Sequence, residues 1–262
     1  MHTPRDLTPE TADLAQSAAA VLARLRARGP RVHCITNAVA QNFTANVLLA
    51  AGCVPSMTVN AQEIAAFVAR ADALLVNLGT LDRERRAATE IAVATAGKDN
   101  VPWALDPVFV DRAAPRADFA RVLVGRGPKA VRLNAREFAT LAGAEPSPAA
   151  LGAYAREHAT VVALSGETDL IANGARLARL ANGDPLMAKV TAMGCAGSAL
   201  VAACLAVEPD PWRAAAAGLT IIGVAGELAA REAQGPGSFA VAILDALHNL
   251  DEPALIQRAT VS

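Results

Sequence analysis

Short apolar runs alternate with helical patterns along most of the chain. The runs that predict strands are Val32–Thr36, Leu74–Asn77, Trp103–Asp106, Ala130–Leu133 and Val161–Ser165. The stretches that predict helices are Gln41–Ala51, Ala61–Ala69, Asp82–Ala96, Phe119–Gly125 and Arg136–Ala142. Strands that alternate with helices favour βαβ units, and strands that are apolar throughout are typical of a parallel sheet covered on both faces. The pattern therefore predicts an α/β fold with a mostly parallel central sheet and helices on both faces.

The pattern changes after Ser165. Asp169–Ala172 and Arg176–Leu180 flank Asn173-Gly174, which is a strong signal for a β-hairpin. Three consecutive helices are then predicted, over Cys195–Val207, Trp212–Arg231 and Ser238–Leu250. Because no linker or repeat divides the chain, we expect one domain over residues 1–262, with residues 1–15 as a loose N-terminal segment.

The composition argues against a nucleic-acid or membrane partner. The chain has 262 residues, 53% of them apolar, and a formal net charge of −1, so it lacks the concentrated positive field that such partners attract. The apolar run Ala214–Ala230 is interrupted by Thr220 and Glu227, which favours a buried helix over a membrane span. Met1–Gln16 carries acidic residues and no apolar signal core, so a cytoplasmic location is expected.

The cysteines fit the same picture. Cys34, Cys53, Cys195 and Cys204 include no C-x-x-C pair, which favours reduced thiols over a disulfide framework or a zinc site. All of them except Cys195 are expected to be small core residues.

Polar residues follow the predicted strands. They are Thr36-Asn37, Asn77 to Thr80, Asp106-Pro107, Asn134 with Glu137, and Ser165 to Glu167. Parallel sheets bind ligands at the carboxyl ends of their strands, so Asp106 and Glu137 are candidates to hold Mg²⁺ beside nucleotide phosphates. Asp106 can equally be a turn residue before Pro107, and Glu137 can be the N3 residue of a capping box begun by Asn134. For Glu137 the two roles are compatible.

The segment Asn182–Ser198 is the most informative for chemistry. A turn of small residues opens at Gly194 into an apolar helix, whose free N–H groups and dipole form a site for a phosphoryl group. Cys195 lies in the first turn, where we expect the thiol pKa to be lowered. None of the three lysines stands in a G-x-x-x-x-G-K-[ST] motif, so a user of ATP must hold the phosphates by another route.

The sequence resembles the hydroxyethylthiazole kinase family from about Val32 to Phe239. The resemblance is carried by Val32–Asn37, Asn42–Asn46, Asn77–Leu81, Leu105–Val108, Ser165–Glu167, Asn182-Gly183, Lys189–Thr191, Gly194-Cys195 and Gly235–Phe239. It implies a ribokinase-like three-layer sandwich and ATP-dependent, Mg²⁺-dependent phosphorylation of the hydroxyl of 4-methyl-5-(2-hydroxyethyl)thiazole in thiamine biosynthesis or salvage. It also implies a homotrimer with the thiazole pocket between subunits.

The resemblance also implies roles for individual residues. Met57, Ala192 and Asn37 match positions that bind the thiazole, Arg132 and Ser165 match positions that contact ATP, and Asp106 and Glu137 match acidic positions near the metal. Cys195 stands where related sugar and pyrimidine kinases carry an aspartate base, and Gly194 beside it is the second candidate catalytic residue.

Two segments depart from the family pattern. Ala192 replaces the glycine that normally begins the turn before Cys195, which costs strain if that position needs a positive φ and crowds the ligand if the backbone there approaches the substrate closely. Phe109–Ala114 replaces a stretch that is commonly rich in glycine, which changes the loop after Asp106.

Three alternative functions stay open at the level of sequence. The acceptor can be another small alcohol, such as hydroxymethylpyrimidine, or the chain can bind thiazole with weak catalysis. A hydrolase with Cys195 as nucleophile is the third; it needs a neighbouring base, and residues 165–230 contain no histidine.

Overall fold

The sheet contains eight strands in the part of the chain that the computed structural model describes, which is the backbone of residues 9–262 and the side chains of residues 13–262. The strands are β1 (Arg31–Ile35), β2 (Val54–Ser56), β3 (Ala73–Asn77), β4 (Trp103–Asp106), β5 (Ala130–Asn134), β6 (Val161–Ser165), β7 (Asp169–Ala172) and β8 (Leu177–Leu180). Their order in the sheet is β2-β1-β3-β4-β5-β6-β7-β8. Neighbouring strands are parallel from β2 to β6, and β7 runs antiparallel to both of its neighbours.

Helices cover both faces of this sheet. Five of them pack on one face: α3 (Ile64–Val68), α4 (Arg83–Asp99), α5 (Ala114–Val124), α6 (Ala135–Ala142) and α7 (Pro148–Glu157). The other face carries α1 (Pro9–Arg28), α2 (Gln41–Ala50), α8 (Met193–Leu205), α9 (Pro211–Glu232), α10 (Pro236–Asn249) and α11 (Glu252–Arg258). A 3₁₀ helix, Pro185–Lys189, precedes α8. The result is a three-layer sandwich.

Alternation along each strand produces the two cores. In β3, Leu75 faces the layer of α8 and α9, while Leu74 and Val76 face the layer of α3 to α7. Successive side chains of a strand point to opposite faces, so a strand covered on both sides must be apolar at every position. This explains why the strands could be found from continuous apolar runs.

Most of the predicted elements are confirmed to within a few residues at each end. The helix predicted at Phe119 begins earlier, at Ala114, because Pro115 suits the first turn. The apolar pattern did not predict α1, α7 or α11, and the sheet has a short edge strand, β2, outside the predicted runs.

The expectation of a loose segment over residues 1–15 is wrong from Pro9 onward. Helix α1 begins there, and Leu14 and Ala15 are buried against the core formed with α9. The reason is that the apolar residues of α1 recur at helical spacing and so form one buried stripe. Residues 1–8 lie outside the described part of the chain.

Helix α9 is a core helix, as the interrupted apolar run predicted. It is the one helix in residues 9–262 that is long and apolar enough to cross a membrane, but 78% of its most apolar stretch is buried inside the fold.

The order of the strands locates a crevice. The chain goes from β1 outward to β2 and then returns past β1 to β3, so the direction of winding reverses between β1 and β3. Ligands of open α/β sheets bind at such a switch point, outside the carboxyl ends of the strands. A ligand site is therefore expected at the carboxyl ends of β1, β3 and β4.

The close packing of α8 on α9 can be tested with one glycine. A Cβ on Gly218 would lie 3.0 Å from Cα of Val201, which is backbone and cannot move aside. We expect Gly218→Ala to lower the free energy of unfolding by about 1–3 kcal/mol through overpacking.

Gly97→Ala is the matched control, since Gly97 is also inside a helix and a Cβ added there would meet no atom of another element within 4 Å. This variant should gain up to about 1 kcal/mol from helix propensity alone. Denaturant unfolding measures both values; equal effects of the two substitutions would contradict the close contact between α8 and α9.

Candidate active site

Polar side chains from three adjacent strands meet at the switch point. Asn77 and Asp106 are paired residues at the ends of β3 and β4, and Asn37 follows β1. Nδ2 of Asn77 donates to Oδ2 of Asp106 at 2.7 Å, and Nδ2 of Asn37 lies 3.4 Å from Oδ1 of Asn77. All three side chains are buried. Three of the five polar strand ends therefore meet here.

Hydrogen bonds determine the orientation of both amides. The N–H of Gly79 can only donate, and it donates to Oδ1 of Asn77 at 3.0 Å. Because that oxygen is an acceptor, Asn37 turns its NH₂ group toward it. The same NH₂ group donates to Sγ of Cys195 at 3.1 Å. The remaining atom, Oδ1 of Asn37, is buried without a hydrogen-bond partner.

Ser198 joins these residues from helix α8. Its hydroxyl donates to Oδ2 of Asp106 at 2.8 Å, so this one oxygen accepts from both Asn77 and Ser198. Among the described residues, Oδ1 of Asp106 accepts no hydrogen bond. We call Asn37, Asn77, Asp106, Cys195 and Ser198 the strand-end network.

The pKa expected for Cys195 is wrong in direction. Burial, followed by the negative charge of Asp106, raises the pKa of the Cys195 thiol to about 11. The helix dipole and the N–H of Asn37 favour the thiolate, but desolvation outweighs them. The thiol is therefore neutral near pH 7. The amide of Asn37 is the hydrogen-bond partner of the sulfur, so the base that a cysteine hydrolase requires is not in contact with it.

The turn before α8 has a positive φ at the position where alanine departs from the family pattern. Ala192 adopts φ = 73° and ψ = −2°, in the left-handed region. Alanine there costs about 1–2 kcal/mol relative to the right-handed region. The N–H of Ala196 bonds to the carbonyl of Ala192, and the N–H of Met193 reaches the carbonyl of Val190. This leaves the N–H groups of Gly194 and Cys195 as the free donors at the start of the helix.

Arg132 of β5 packs directly against Gly194. A Cβ on Gly194 would lie 2.8 Å from Nη1 of Arg132, so glycine is required for the guanidinium to lie there. Nε of Arg132 is buried and has no partner. A buried N–H of an arginine without an acceptor is costly, and a bound anion would satisfy it. Arg132 and the start of α8 thus form one positively charged corner.

Glu137 is a capping residue, and its carboxylate also holds the neighbouring loop. Oε2 accepts from the N–H of Asn134 in a complete capping box, and Oε1 accepts from the N–H of Phe109, each at 2.9 Å. Burial raises the pKa of Glu137, as it does that of Asp106. Phe109 itself has φ = 60°, so both segments that depart from the family pattern contain a residue other than glycine in the left-handed region.

Of the predicted site residues, only Asn37, Asp106 and Cys195 belong to the strand-end network; Gly194, Ala192, Arg132 and Glu137 lie in the segments described above, and Ser165 and Met57 lie elsewhere. Ser165 ends β6, beside Asn134, and its hydroxyl donates to the carbonyl of Leu133 at 3.3 Å. Met57 follows the edge strand β2 and is partly buried against the core on the α8 side. Neither side chain contributes a hydrogen bond to the strand-end network.

Sequence reasoning named Asn77 as a polar strand end but gave it no role, and it missed Ser198 and Arg116. Ser198 is one helical turn after Gly194, and this spacing is the only signal for it. Arg116 donates through Nη1 to the carbonyl oxygens of Leu78 and Val108, which ties together the loops after β3 and β4. No local pattern marks such a contact.

Known proteins resemble this chain over most of its length. The model of the hydroxyethylthiazole kinase family matches residues 22–253. A hydroxyethylthiazole kinase of Klebsiella pneumoniae is 46% identical over 237 residues, which cover 86% of this chain and 92% of that protein.

Solved structures show the same likeness. The structure of a hydroxyethylthiazole kinase protein from Pyrococcus horikoshii OT3 superimposes with a TM-score of 0.89 at 34% identity and covers 94% of this chain and 98% of its own. A ribokinase-like superfamily protein from Enterococcus faecalis, 14% identical with a TM-score of 0.66, covers 95% of this chain and 100% of its own and shows the shared fold. The fold is therefore ribokinase-like, and the chain belongs to the hydroxyethylthiazole kinase family.

Proposed function

We propose that the protein transfers the γ-phosphoryl group of ATP to the hydroxyl of 4-methyl-5-(2-hydroxyethyl)thiazole. The observation that carries the proposal is the positively charged corner of Arg132 and α8, which lies directly beside the strand-end network. The positively charged corner suits a phosphoryl group, and the strand-end network suits a small acceptor alcohol. The names of the relatives, hydroxyethylthiazole kinase, supply the acceptor.

The phosphoryl group belongs at the start of α8 in this proposal. The free N–H groups of Gly194 and Cys195 would bind its oxygens, with Arg132 beside them. Charge on the transferring oxygens is what phosphoryl transfer must stabilise, and fixed donors do this without reorganising. Ser165, one strand away from Arg132, would contact another part of the nucleotide.

Mg²⁺ fits the carboxylates at the strand ends. The described residues contain no cluster of three or more His, Cys, Asp or Glu side chains that could hold a metal by themselves. Magnesium beside nucleotide phosphates needs only one or two carboxylates, because water and phosphate oxygens complete its shell. Asp106 would hold it through its free Oδ1, and Glu137 would lie nearby with each oxygen already accepting one N–H. The ion would neutralise charge on the phosphates.

The acceptor alcohol belongs next to Asn37 and Cys195. Oδ1 of Asn37, buried and unpartnered, would accept the hydrogen bond of the alcohol and so orient its oxygen. Because the pKa of Cys195 is raised to about 11, a proton-accepting role for the thiol is not supported near neutral pH, and we assign it to positioning. Met57 and Ala192 would contact the thiazole. Catalysis then comes mainly from positioning and charge stabilisation.

We also propose a cytoplasmic homotrimer with the thiazole pocket completed by a neighbouring subunit. Met57 follows an edge strand, and Val54 in that strand and Phe67 beside it are exposed apolar side chains. Exposed apolar groups along a sheet edge suit an interface between subunits. The near-neutral net charge of −1 supports a small-molecule enzyme without a nucleic-acid partner.

The proposal is tested by ATP consumption with Mg²⁺ and either hydroxyethylthiazole or hydroxymethylpyrimidine. We expect saturable ADP release that depends on the thiazole alcohol and stops when Mg²⁺ is chelated. Turnover with the pyrimidine alone would move the acceptor within the kinase class. Thiazole binding without ADP release would indicate a weak or inactive enzyme, contrary to the proposal.

The strain at Ala192 gives a second prediction. Glycine adopts the left-handed region freely, so Ala192→Gly should raise the free energy of unfolding by about 0.5–1 kcal/mol after the entropy of the unfolded chain is counted. Ala196→Gly, in a regular turn of the same helix, is the control and should destabilise. Thermal or denaturant unfolding measures both; a loss of stability in Ala192→Gly would show that the turn is not strained.

The contact between Gly194 and Arg132 gives a third. Gly194→Ala should push the guanidinium aside and lose about 1.5–3 kcal/mol of charge-assisted hydrogen bonding to the phosphates, which lowers kcat/KM for ATP about 10- to 100-fold. Gly197→Ala is the matched control, since its Cβ would meet only side-chain atoms, the nearest being Cδ2 of Leu219 at 3.8 Å. Steady-state kinetics with varied ATP measures kcat/KM for both variants. Equal values would show that Arg132 does not contribute to the ATP site.

A further inference from the structure

Ser198 is the only hydroxyl residue of helix α8. The rest of the helix, Met193–Leu205, consists of apolar residues, glycines and cysteines, and most of it is fully buried. Ser198 itself is buried completely. Serine is a weaker helix former than alanine, and a buried hydroxyl is costly without a partner. Packing alone would accept alanine at this position, so the hydroxyl calls for a reason of its own.

The geometry shows where the proton of this hydroxyl points. Oγ of Ser198 lies 2.8 Å from Oδ2 of Asp106 and 3.2 Å from the carbonyl oxygen of Gly194. A hydroxyl has one proton to donate, and a carboxylate is the stronger acceptor. The shorter distance agrees with donation to Asp106. The carbonyl of Gly194 is then at most a weak second contact.

The hydrogen bond from Ser198 makes the two carboxylate oxygens of Asp106 different. Asn77 and Ser198 both donate to Oδ2, from strand β3 and from helix α8 respectively. Two donors from different elements hold the carboxylate plane and leave Oδ1 as the available oxygen. With Asn77 alone, the carboxylate could turn about its Cβ–Cγ bond, since that torsion is broad and roughly two-fold.

The same bond connects the two halves of the proposed site. Ser198 is four residues after Gly194, whose N–H would bind the phosphoryl group. Asp106 is the carboxylate that would hold Mg²⁺ beside the same phosphates. The hydrogen bond from Ser198 therefore links the start of α8 directly to this carboxylate. A misplacement of about 1 Å in such an arrangement can cost on the order of 100-fold in rate.

We propose that Ser198 is a positioning residue for phosphoryl transfer, which holds the carboxylate of Asp106 in register with the start of α8 through the hydrogen bond from Oγ to Oδ2. The inference rests on the proposed kinase function. It assigns to Ser198 no contact with the substrate, so loss of the hydroxyl should affect turnover more than binding of the alcohol.

The test compares Ser198→Ala with Thr160→Val in the full-length protein. Thr160 also has a buried hydroxyl, which donates to the carbonyl of Pro128 at 2.7 Å. It directly precedes β6, at the amino ends of the parallel strands and so away from the site at their carboxyl ends. We expect both variants to melt a few degrees lower than the unchanged protein. Only Ser198→Ala should lose kcat, by about 10- to 100-fold, while KM for the alcohol changes by less than about 2-fold.

Calorimetry supplies a second readout that does not depend on turnover. ADP affinity is measured with Mg²⁺ and with a chelator, for the unchanged protein and both variants. Ser198→Ala should lose most of the gain in affinity that Mg²⁺ gives, whereas Thr160→Val should keep it. Metal-free ADP affinity should be the same in all three.

Ser198→Cys keeps the side chain close to its original size but replaces a strong donor with a weak one, and it covers the case in which Ser198→Ala does not fold. Its kcat should fall in the same direction. Unchanged kcat in either Ser198 variant, or an equal loss in Thr160→Val, overturns the inference. Inactivity of the unchanged protein toward the thiazole alcohol would instead reject the proposed function, so the two failures are distinguishable.

Discussion

The structure of the site depends on one buried carboxylate oxygen. Oδ2 of Asp106 accepts from Asn77 on β3 and from Ser198 on α8, while Asp106 itself ends β4. Taking a carboxylate out of water is costly unless it is hydrogen-bonded, so the fold must bring donors from both neighbours to this point. Asn37 in turn donates to Oδ1 of Asn77, which fixes its amide, and the same NH₂ group donates to Cys195. Four elements of the chain are held in register by this sequence of donors.

Two glycines make this convergence possible. A Cβ on Gly79 would lie 2.5 Å from Cβ of Asn37, and a Cβ on Gly194 would lie 2.8 Å from Nη1 of Arg132. At Gly79 the neighbouring atom is a Cβ and has little freedom to move, whereas at Gly194 a side chain would displace the end of Arg132. The crowded polar site therefore needs glycine at both positions to keep Asn37 and Arg132 where they lie, while at Ala192 the chain tolerates a left-handed alanine.

The sequence predicted the parts that depend on local pattern. Continuous apolar runs marked the strands because both faces of the sheet are covered, and polar strand ends marked Asp106 and Asn37 because parallel strands end at one edge. The glycine missing from the family pattern marked Ala192 as a position to examine, and of the two explanations it offered the structure shows the positive φ. Helix α1 was not predicted although its apolar stripe is a local signal, and strand β2 lies outside the predicted apolar runs because it has only three residues and one of them is a proline. The pKa of Cys195 was predicted in the wrong direction because its burial depends on the assembled fold. The hydrogen bond of Ser198 could not be read from sequence for the same reason.

The central claim is that the corner of Arg132 and α8 delivers a phosphoryl group to an alcohol held by the strand-end network. The most direct measurement uses ATP labelled with ¹⁸O at every oxygen of the γ-phosphoryl group, with mass spectrometry of the thiazole product. The account predicts a phosphate ester that carries the labelled phosphoryl oxygens and retains the unlabelled oxygen of the alcohol. Labelled inorganic phosphate with unchanged alcohol would contradict it, because the site would then pass the phosphoryl group to water.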